Sequence, residues 1–244
     1  MALARLMAAE GCHLVLVARR ESRLQDLANE LSESHGVKTH CLPMDLGLAK
    51  APEVLADRLK DYDISIIANN AGFAMTGKFA SADPARLEQM VALNIRFVMQ
   101  FTRLMLPRLL ERDKPGRILN TGSVAGHQGV PHFAAYAATK AFVNHFSEGL
   151  AWEVRRSKVR ICTIEPGQTA SEFFQVAEME DSFISRFAVL TTNQVAKAGV
   201  RALKTGKPRT VVGLLNKLLV FSLRITPRSL VRIVISMLFK DLAK

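Results

Sequence analysis

The sequence contains only three cysteines, Cys12, Cys41 and Cys162, which are odd in number and widely spaced. Such cysteines match neither a disulfide framework nor a metal cluster, so we expect no metal site and a reducing, cytoplasmic environment. The opening residues carry Arg5 and Glu10 and lack a basic start followed by an uninterrupted apolar block. We therefore do not expect a secretory signal there.

Acidic residues are scarce in the C-terminal part of the chain. From Arg201 to Lys244 there are ten Lys or Arg residues and one acid, Asp241, which gives a local net charge of +9. Residues 1–200 hold 23 Lys or Arg and 21 Asp or Glu, so most of the overall charge of +11 belongs to the C-terminal segment. This distribution argues against a nucleic-acid-binding domain and for a basic tail that contacts an acidic group, such as phospholipid or an acyl-CoA.

The tail also lacks an uncharged run of the roughly twenty residues that cross a bilayer. Residues 211–240 read "VVGLLNKLLVFSLRITPRSLVRIVISMLFK", in which Thr226 and Pro227 look like the cap and first position of the second of two amphipathic helices. Two interpretations stay open. The pair lies on an anionic membrane surface as a peripheral contact, or its apolar stripes pack on the core or at an oligomer interface.

What the chain does contain is a regular alternation of helix-like and strand-like stretches. The strand-like runs are "HLVLVA", "KTHCLPMD", "DISIIANNAG", "GRILNTGS" and "VRICTIEPG", and helical patterns lie between them. This order predicts an α/β fold with a doubly wound, mostly parallel sheet covered on both faces. We assign residues 1–200 to this domain and residues 201–244 to a basic extension packed on it.

Unusual polar residues follow the predicted strands. They are Asp45, "NNAG" at 69–72, Ser123 and "PGQT" at 166–169. Ligands of an open parallel sheet bind beyond the carboxyl ends of its strands, so we predict the functional site at this edge.

Tyr136 and Lys140 form "YAATK" on a predicted helix, where a spacing of four puts both side chains on one face. A nearby ammonium stabilises a phenolate and lowers the pKa of the phenol, which is about 10 in a free tyrosine. Ser123 lies thirteen residues upstream of Tyr136 and is suited to hold a substrate oxygen. Taken alone, a Tyr–Lys pair at this spacing is far more often an amphipathic pair on an exposed helix face than a catalytic pair.

In order and spacing, "NNAG", Asn94, Ser123, "YAATK" and "PGQT" resemble the short-chain dehydrogenase/reductase family over about residues 1–200. The resemblance implies a Rossmann-like oxidoreductase in which Tyr136 is the general acid/base and Lys140 lowers its pKa and binds the nicotinamide ribose. It also implies that Ser123 orients the substrate carbonyl, that Asn94 holds a proton-relay water, and that the protein is a homo-oligomer. The implied cofactor contacts are Asn70, Ala71 and Gly72 at the adenine ribose, Asp45 and Leu46 at the adenine, and Pro166, Gly167 and Thr169 at the nicotinamide.

The residues at the end of the family's second strand, which corresponds to "HLVLVA" in this chain, distinguish members that use NAD from members that use NADP. NAD-dependent members carry Asp or Glu there, whereas this chain has Arg19 and Arg20. Guanidinium groups pair with phosphate, so we predict NADP(H) in preference to NAD. The alternative is that both arginines simply begin the next helix at the surface.

The resemblance also implies a segment before Met1. Family members begin with a strand and a T-G-x-x-x-G-x-G turn that binds the pyrophosphate, whereas this sequence begins as if inside the following helix. Compared with the family pattern, about fifteen residues are missing before Met1. Three explanations stay open: the start site is placed too far downstream, the sequence is a shortened gene product, or the protein really begins here. Loss of the first strand would leave two unpaired edges inside the sheet.

The predicted function is NADP(H)-dependent interconversion of a hydrophobic ketone or aldehyde and its alcohol. The resemblance implies that the segment between Ala170 and Leu190 is a variable lid that covers the substrate. Its apolar residues would form a hydrophobic pocket, although ordinary helix packing explains them equally well; they are Phe173, Phe174, Met179, Phe183 and Phe187. The alternative is a non-catalytic, shortened relative that binds a membrane surface or a partner.

Overall fold

Helices and strands alternate along the computed structural model, which describes residues 1–170 and 189–239. The strands are β1 (Leu14–Ala18), β2 (Thr39–Pro43), β3 (Ile66–Asn69), β4 (Gly116–Thr121), β5 (Val159–Glu165), β6 (Thr169–Ala170), β7 (Leu190–Thr191) and β8 (Arg209–Val211). The helices are α1 (Ala2–Ala9), α2 (Glu21–His35), α3 (Ala51–Arg58), α4 (Pro84–Val91), α5 (Val98–Glu111), α6 (Ala134–Glu153), α7 (Thr192–Thr205), α8 (Leu214–Ser222) and α9 (Arg228–Leu238). Short 3₁₀ turns span Phe79–Ser81 and Val124–His127, and a π-helical turn spans Ala92–Phe97.

Every strand pair in the described residues is parallel, as predicted. Strands β3, β4, β5 and β8 form one ladder in the order β3-β4-β5-β8, and β1 pairs with β2 in a second ladder. Within the described chain β1 and β3 have one partner each, so the predicted break in the sheet is present. Leu14 of β1 and Ile66 of β3 nevertheless pack against the same apolar cluster, which joins the two ladders through side chains.

Alternate strand residues face two separate layers of helices. Ile118 of β4 packs with α3 and α5, whereas its neighbour Leu119 packs with α1 and α7. On β5, Ile161 and Cys162 divide between the same two layers. The predicted doubly wound α/β architecture is therefore confirmed, and both faces of the sheet are covered.

Single residues mark several of the helix boundaries. Asp83 caps α4, since its carboxylate accepts a hydrogen bond from Ala85 N at 2.9 Å, and Gly36 ends α2 in the left-handed conformation. The predicted cap of the last helix was wrong by one position: α9 begins at Arg228 after Pro227. Thr226 instead donates its hydroxyl to Ser222 O at 2.8 Å, which completes the turn after α8.

The helical segment that follows Asp83 is not continuous α-helix. A π-helical turn at Ala92–Phe97 separates α4 from α5. π-helical turns are rare and often occur at functional sites. This one carries Asn94, one of the predicted site residues.

Candidate active site

The predicted polar segments meet at one edge of the sheet. Strands β3, β4 and β5 are neighbours, and their carboxyl ends lead into Asn70–Gly72, Gly122–Ser123 and Pro166–Thr169. Because parallel strands end on the same side, these three segments lie next to one another. The site predicted from strand order is therefore brought together.

Ser123 is held firmly between β4 and α6. Its main-chain carbonyl accepts a hydrogen bond from Asn144 Nδ2 at 3.0 Å, and its N–H donates to Asn144 Oδ1 at 3.4 Å. The Ser123 hydroxyl caps the following 3₁₀ turn by accepting from Ala125 N at 3.1 Å. Sequence reasoning missed Asn144, although it continues the four-residue spacing of Tyr136 and Lys140 along α6.

Two glycines let the Ser123 turn approach α6 closely. A β-carbon at Gly122 would lie 2.0 Å from Asn144 Oδ1, and one at Gly126 would lie 2.7 Å from Ala141 N. Neither approach is possible for a residue with a side chain. The glycines therefore set the distance between Ser123 and the face of α6 that carries Tyr136.

Tyr136 and Lys140 lie on this face and are buried, each with 6% of its surface exposed. The Lys140 ammonium lies 5.8 Å from the centroid of the Tyr136 ring and donates a hydrogen bond to Thr121 O at 2.7 Å. The hydrogen bond fixes the amine at the end of β4. The predicted shared face of the two side chains is confirmed.

Burial controls the protonation of this pair. It raises the pKa of the Tyr136 phenol, and a hydrogen bond with Ser123 opposes that rise. Burial also lowers the pKa of the Lys140 ammonium to about 8. The expected lowering of the tyrosine pKa is therefore not found; the described site holds a neutral phenol, because removal from water disfavours the phenolate more than its neighbours stabilise it.

Asn94 lies beneath the site and is 1% exposed. Its Oδ1 accepts from Phe73 N at 3.2 Å, and its Nδ2 donates to Phe73 O at 3.0 Å and to Thr139 Oγ1 at 3.1 Å. The side chain thus binds protein groups, so its role with a relay water stays a prediction. A β-carbon on Gly72 would lie 2.9 Å from Asn94 Oδ1, which explains why a glycine suits that position.

A cavity of about 680 Å³ opens at this edge of the sheet. The predicted residues that line it are Asn70, Gly72, Ser123, Tyr136, Lys140, Pro166, Gly167 and Thr169. The predicted residues outside its lining are Arg19, Arg20, Asp45, Leu46, Ala71 and Asn94. Ser123, Tyr136 and Lys140 thus share the cavity with the residues predicted at the nicotinamide and with two of the three predicted at the adenine ribose, while the residues at the ends of β1 and β2 lie outside its lining.

The adenine-side residues differ in exposure. Arg19 and Arg20 are exposed just beyond β1, and Asp45 is exposed beyond β2. The Asp45 carboxylate accepts a hydrogen bond from Gly47 N at 2.8 Å. Leu46 belongs to the apolar core and is 9% exposed, so its side chain is less available to a ligand than the resemblance implies.

The C-terminal helices form a wall of the cavity that the sequence did not predict. Leu219 and Asn216 of α8 line it together with Ile235, Leu238 and Phe239 at α9. Asn216 lies directly against the loop Pro166–Thr169, since a β-carbon on Gly167 would be 2.5 Å from Asn216 Oδ1. The extension therefore takes part in the site as well as carrying charge.

Two glutamines add unpaired polar atoms to this mostly apolar lining. Gln128 Oε1 and both amide atoms of Gln168 are buried and have no hydrogen-bond partner. A buried unpaired amide costs roughly 1–3 kcal/mol, so such atoms are typical of places where a ligand or water binds. The segment with Phe173, Phe174, Met179, Phe183 and Phe187, predicted to cover the substrate, lies outside the described residues.

A buried ionic cluster joins the segments that border the cavity. Glu165, at the end of β5, accepts hydrogen bonds from Arg209 Nε at 2.8 and 3.0 Å, and its Oε2 lies 2.9 Å from His127 Nε2. Burial by itself raises the pKa of the Glu165 carboxyl, but the bonds with His127 and Arg209 outweigh burial and hold that pKa below its usual value. Sequence reasoning missed this cluster; within the described residues no group of His, Cys, Asp and Glu is arranged to hold a metal ion.

Comparison with known proteins agrees with this geometry. A sequence model of the family described as short chain dehydrogenase matches residues 1–181. Sulfoacetaldehyde reductase 2 of Chromohalobacter salexigens is 35% identical over 175 residues, which cover 70% of this chain and 69% of that protein. Against three other curated relatives the match covers 47–62% of the relative's length, so the chain spans about half to two thirds of those proteins.

Solved structures resemble the fold closely. A short-chain dehydrogenase from Sphingobium yanoikuyae in complex with NADPH superposes with a TM-score of 0.80 at 29% identity, covering 86% of this chain and 82% of that one. A short-chain dehydrogenase/reductase from Burkholderia phymatum in complex with NAD also gives 0.80, covering 90% and 86%, and at 20% identity it shows the shared fold alone. With a parallel doubly wound sheet, a Ser–Tyr–Lys group at its edge and a family model that matches most of its length, the chain belongs to the short-chain dehydrogenase/reductase family of oxidoreductases.

Proposed function

We propose that the chain is an NADP(H)-dependent oxidoreductase that interconverts a hydrophobic ketone or aldehyde and its alcohol. The observation that carries the proposal is that Ser123, Tyr136 and Lys140 share one wall of an apolar cavity at the carboxyl edge of the sheet. Each of the three supplies a different element that carbonyl reduction needs: a hydroxyl to orient oxygen, a proton, and a positive charge.

In the proposed reduction the substrate carbonyl oxygen accepts hydrogen bonds from the Ser123 hydroxyl and the Tyr136 phenol. A nicotinamide cofactor, when bound, supplies the hydride that the carbonyl carbon accepts. The oxygen then becomes an alkoxide, a far stronger base than a phenolate, and takes the proton of Tyr136. Burial keeps that phenol neutral and thus ready to donate, and the ammonium of Lys140 stabilises the phenolate that remains.

The choice of NADP(H) follows from the charges at the end of β1. Arg19 and Arg20 are exposed there and no carboxylate replaces them, so the chemistry fits a 2′-phosphate better than bare ribose hydroxyls. We place Asn70, Ala71 and Gly72 at the adenine ribose and Asp45 with Leu46 at the adenine. Lys140 would hold the nicotinamide ribose, and Pro166, Gly167 and Thr169 would border the nicotinamide.

One described side chain supports the fit of the site to a dinucleotide. The unpaired amide of Gln168 lies in the nicotinamide-side loop, where an amide of a cofactor would satisfy it. The sequence has no T-G-x-x-x-G-x-G turn for the pyrophosphate. Affinity for NADPH is therefore the quantity that separates this proposal from the alternative of a non-catalytic relative.

The apolar lining of the cavity supports the proposed substrate class. Val130 and Phe133 face the cavity from the segment before α6, and Leu219, Ile235 and Phe239 face it from the C-terminal helices. A ketone with a bulky hydrocarbon part would bury apolar surface against this lining, and each Å² removed from water would contribute about 25 cal/mol to the binding free energy. Small polar carbonyl compounds would gain little from this wall.

The proposed homo-oligomer rests on a different surface. Met99 and Leu104 on α5 and Trp152 on α6 are large apolar side chains with 39%, 37% and 68% of their surface exposed. Light scattering coupled to size exclusion tests this, with a dimer or tetramer expected. A monomer at micromolar concentration would contradict it.

An isotope-transfer experiment, which follows the hydride from NADPH to the product, tests the proposed function. We expect deuterium from C4-labelled NADPH on the carbinol carbon of the product when bulky ketones are supplied, and weak or no transfer with NADH. The readout is product mass spectrometry, with heat-inactivated protein as the control. If NADPH binding and transfer are both absent, the non-catalytic alternative replaces this proposal.

A further inference from the structure

Helices α8 and α9 are attached to the domain by few residues. In α8 the buried side chains are Asn216 and Val220, four residues apart on one face. In α9 the buried side chain is Ile235, which packs with Phe133 and Tyr136, and Val231 supports it. One narrow stripe of each helix therefore faces the protein.

The remaining surface of both helices is apolar and exposed. Eleven of the twenty-one exposed large apolar side chains in the described residues lie between Leu214 and Leu238. The six most exposed of them are Leu214, Leu215, Leu218, Phe221, Ile225 and Met237, with 57–73% of their surface exposed. Soluble monomers rarely expose so many large apolar side chains within one short segment, so these two helices are typical of an interaction site.

The charge of the same surface is of one sign. Lys217, Arg224, Arg228 and Arg232 are all exposed, and none of them forms an ion pair within the described part of the chain. The sequence has no Asp or Glu from residue 182 to residue 240. Basic groups thus accompany the apolar residues, and residues 189–239 of the described chain hold no acidic residue that could neutralise them.

These charges favour one occupant. A second copy of this chain docked face to face would bring two unneutralised basic surfaces together, which like-charge repulsion disfavours. A bilayer that contains anionic lipid offers an apolar interior and negative headgroups together. Within the described residues no helix has the length and hydropathy to cross a bilayer, so the matching geometry is one in which the helices lie along its surface.

We propose that the outer face of α8 and α9, from Leu214 to Leu238, is a docking surface for membranes containing anionic phospholipid. The apolar side chains enter the boundary between headgroups and acyl chains, and the basic side chains contact lipid phosphates. Each basic residue near such a surface adds about a fivefold gain in affinity, so the effect weakens as ionic strength rises.

Docking there would also connect the bilayer with the active site. Leu219 and Leu238 are each 40% exposed and also line the cavity beside Tyr136. A lipid-soluble ketone would therefore pass from the acyl region to the cavity between the two helices without entering bulk water. This step rests on the proposed function, whereas docking itself does not.

Vesicle sedimentation without cofactor or substrate tests docking. We expect the protein to pellet with phosphatidylcholine vesicles that contain about 30% phosphatidylglycerol, and to stay in solution with pure phosphatidylcholine. Raising the salt concentration to about 1 M should reduce pelleting at least tenfold. Equal pelleting with both vesicle types, or none with either, overturns the proposal.

Matched variants separate the surface from general stickiness. Leu218→Ser combined with Phe221→Ser and Met237→Ser should abolish pelleting, whereas the exposed control set Leu48→Ser, Val54→Ser and Leu110→Ser should not. Arg224→Ser with Arg228→Ser and Arg232→Ser should lower affinity about 100-fold, and Lys38→Ser with Lys114→Ser and Arg156→Ser should leave it unchanged. If the apolar variant instead dissolves an oligomer and pelleting persists, a second copy is the occupant and the proposal fails.

A separate turnover assay keeps the two proposals distinguishable. The apolar variant should reduce a water-soluble bulky ketone at the normal rate and lose most of its activity on a ketone embedded in anionic vesicles. Pelleting without turnover would contradict the proposed function alone. Normal turnover on both substrates without pelleting would contradict docking alone.

Discussion

The side-chain amide of Asn94 binds both main-chain groups of Phe73: its oxygen accepts from the N–H at 3.2 Å and its nitrogen donates to the carbonyl at 3.0 Å. A single buried side chain on a π-helical turn thus holds the loop that follows β3. That loop carries Asn70 and Gly72 into the cavity lining. Its conformation is therefore set from beneath the site.

Asn94→Asp keeps an oxygen for Phe73 N–H but replaces the amide donor by a second acceptor facing Phe73 O. We expect the free energy of unfolding, measured by urea denaturation, to fall by about 2–3 kcal/mol, because the buried carbonyl of Phe73 loses its hydrogen-bond donor. The KM for NADPH should rise more than kcat falls, since the loop borders the cofactor side. Gln89→Glu, on the exposed part of α4, is the matched control, and equal effects of both variants would refute the role of Asn94.

Gln128→Leu tests the unpaired amide in the cavity. Replacing a buried polar atom that lacks a partner by an apolar group of similar shape should leave the free energy of unfolding unchanged or raise it by up to about 1 kcal/mol. The KM should rise about tenfold for ketones that carry a second hydrogen-bonding group and stay constant for pure hydrocarbon ketones. An unchanged ratio of the two KM values would show that Gln128 does not contact substrate.

Lys140→Met tests the burial of the ammonium. In the wild type, burial lowers the pKa of Lys140 from 10.5 to about 8, so the unfolded chain binds more protons than the folded one between these values. The contribution of this residue to stability therefore rises with pH in that window, by up to about 1.4 kcal/mol per pH unit. The difference in unfolding free energy between wild type and variant, measured from pH 7 to 10, should show this slope. A flat difference would mean that the ammonium is solvated.

Glu165→Gln tests the cluster with His127 and Arg209. At pH 7 we expect a loss of about 2 kcal/mol, because charged hydrogen bonds in a buried site are replaced by neutral ones. The carboxyl pKa lies below its usual 4.5 in the folded state, so its stabilisation is complete above that value and is lost as the pH falls through the folded pKa. The difference from wild type should therefore shrink as the pH falls below 4.5. Lys207→Met, an exposed change near Arg209, is the control and should cost less than about 0.5 kcal/mol.

Local patterns explain why much of the fold was predictable. Strands such as β5 and helices such as α6 are specified by continuous apolar runs and by periodicity, which residues near in sequence determine. The shared face of Tyr136 and Lys140 follows from helix geometry alone. The break between β1 and β3 followed from comparing the start of the chain with the family pattern.

Other features depend on contacts between distant residues and had no local signal. Asn94 on the π-helical turn binds Phe73, which is 21 residues away in sequence, and Glu165 meets His127 and Arg209 from 38 and 44 residues away. Which face of the two C-terminal helices lines the cavity depends on their packing against distant parts of the chain, and the helix sequences alone do not reveal it. The direction of the Tyr136 pKa was predicted wrongly because the charge of Lys140 was considered and the burial of both groups was not.

The central claim is that the buried phenol of Tyr136 is the proton donor to a carbonyl oxygen held beside it. Tyr136→Phe removes one oxygen and leaves the ring packing intact, so its kcat for NADPH-dependent ketone reduction measures that proton directly. The account predicts a fall of at least about 100-fold in kcat with an unchanged Kd for NADPH. A variant that turns over at the wild-type rate would contradict it.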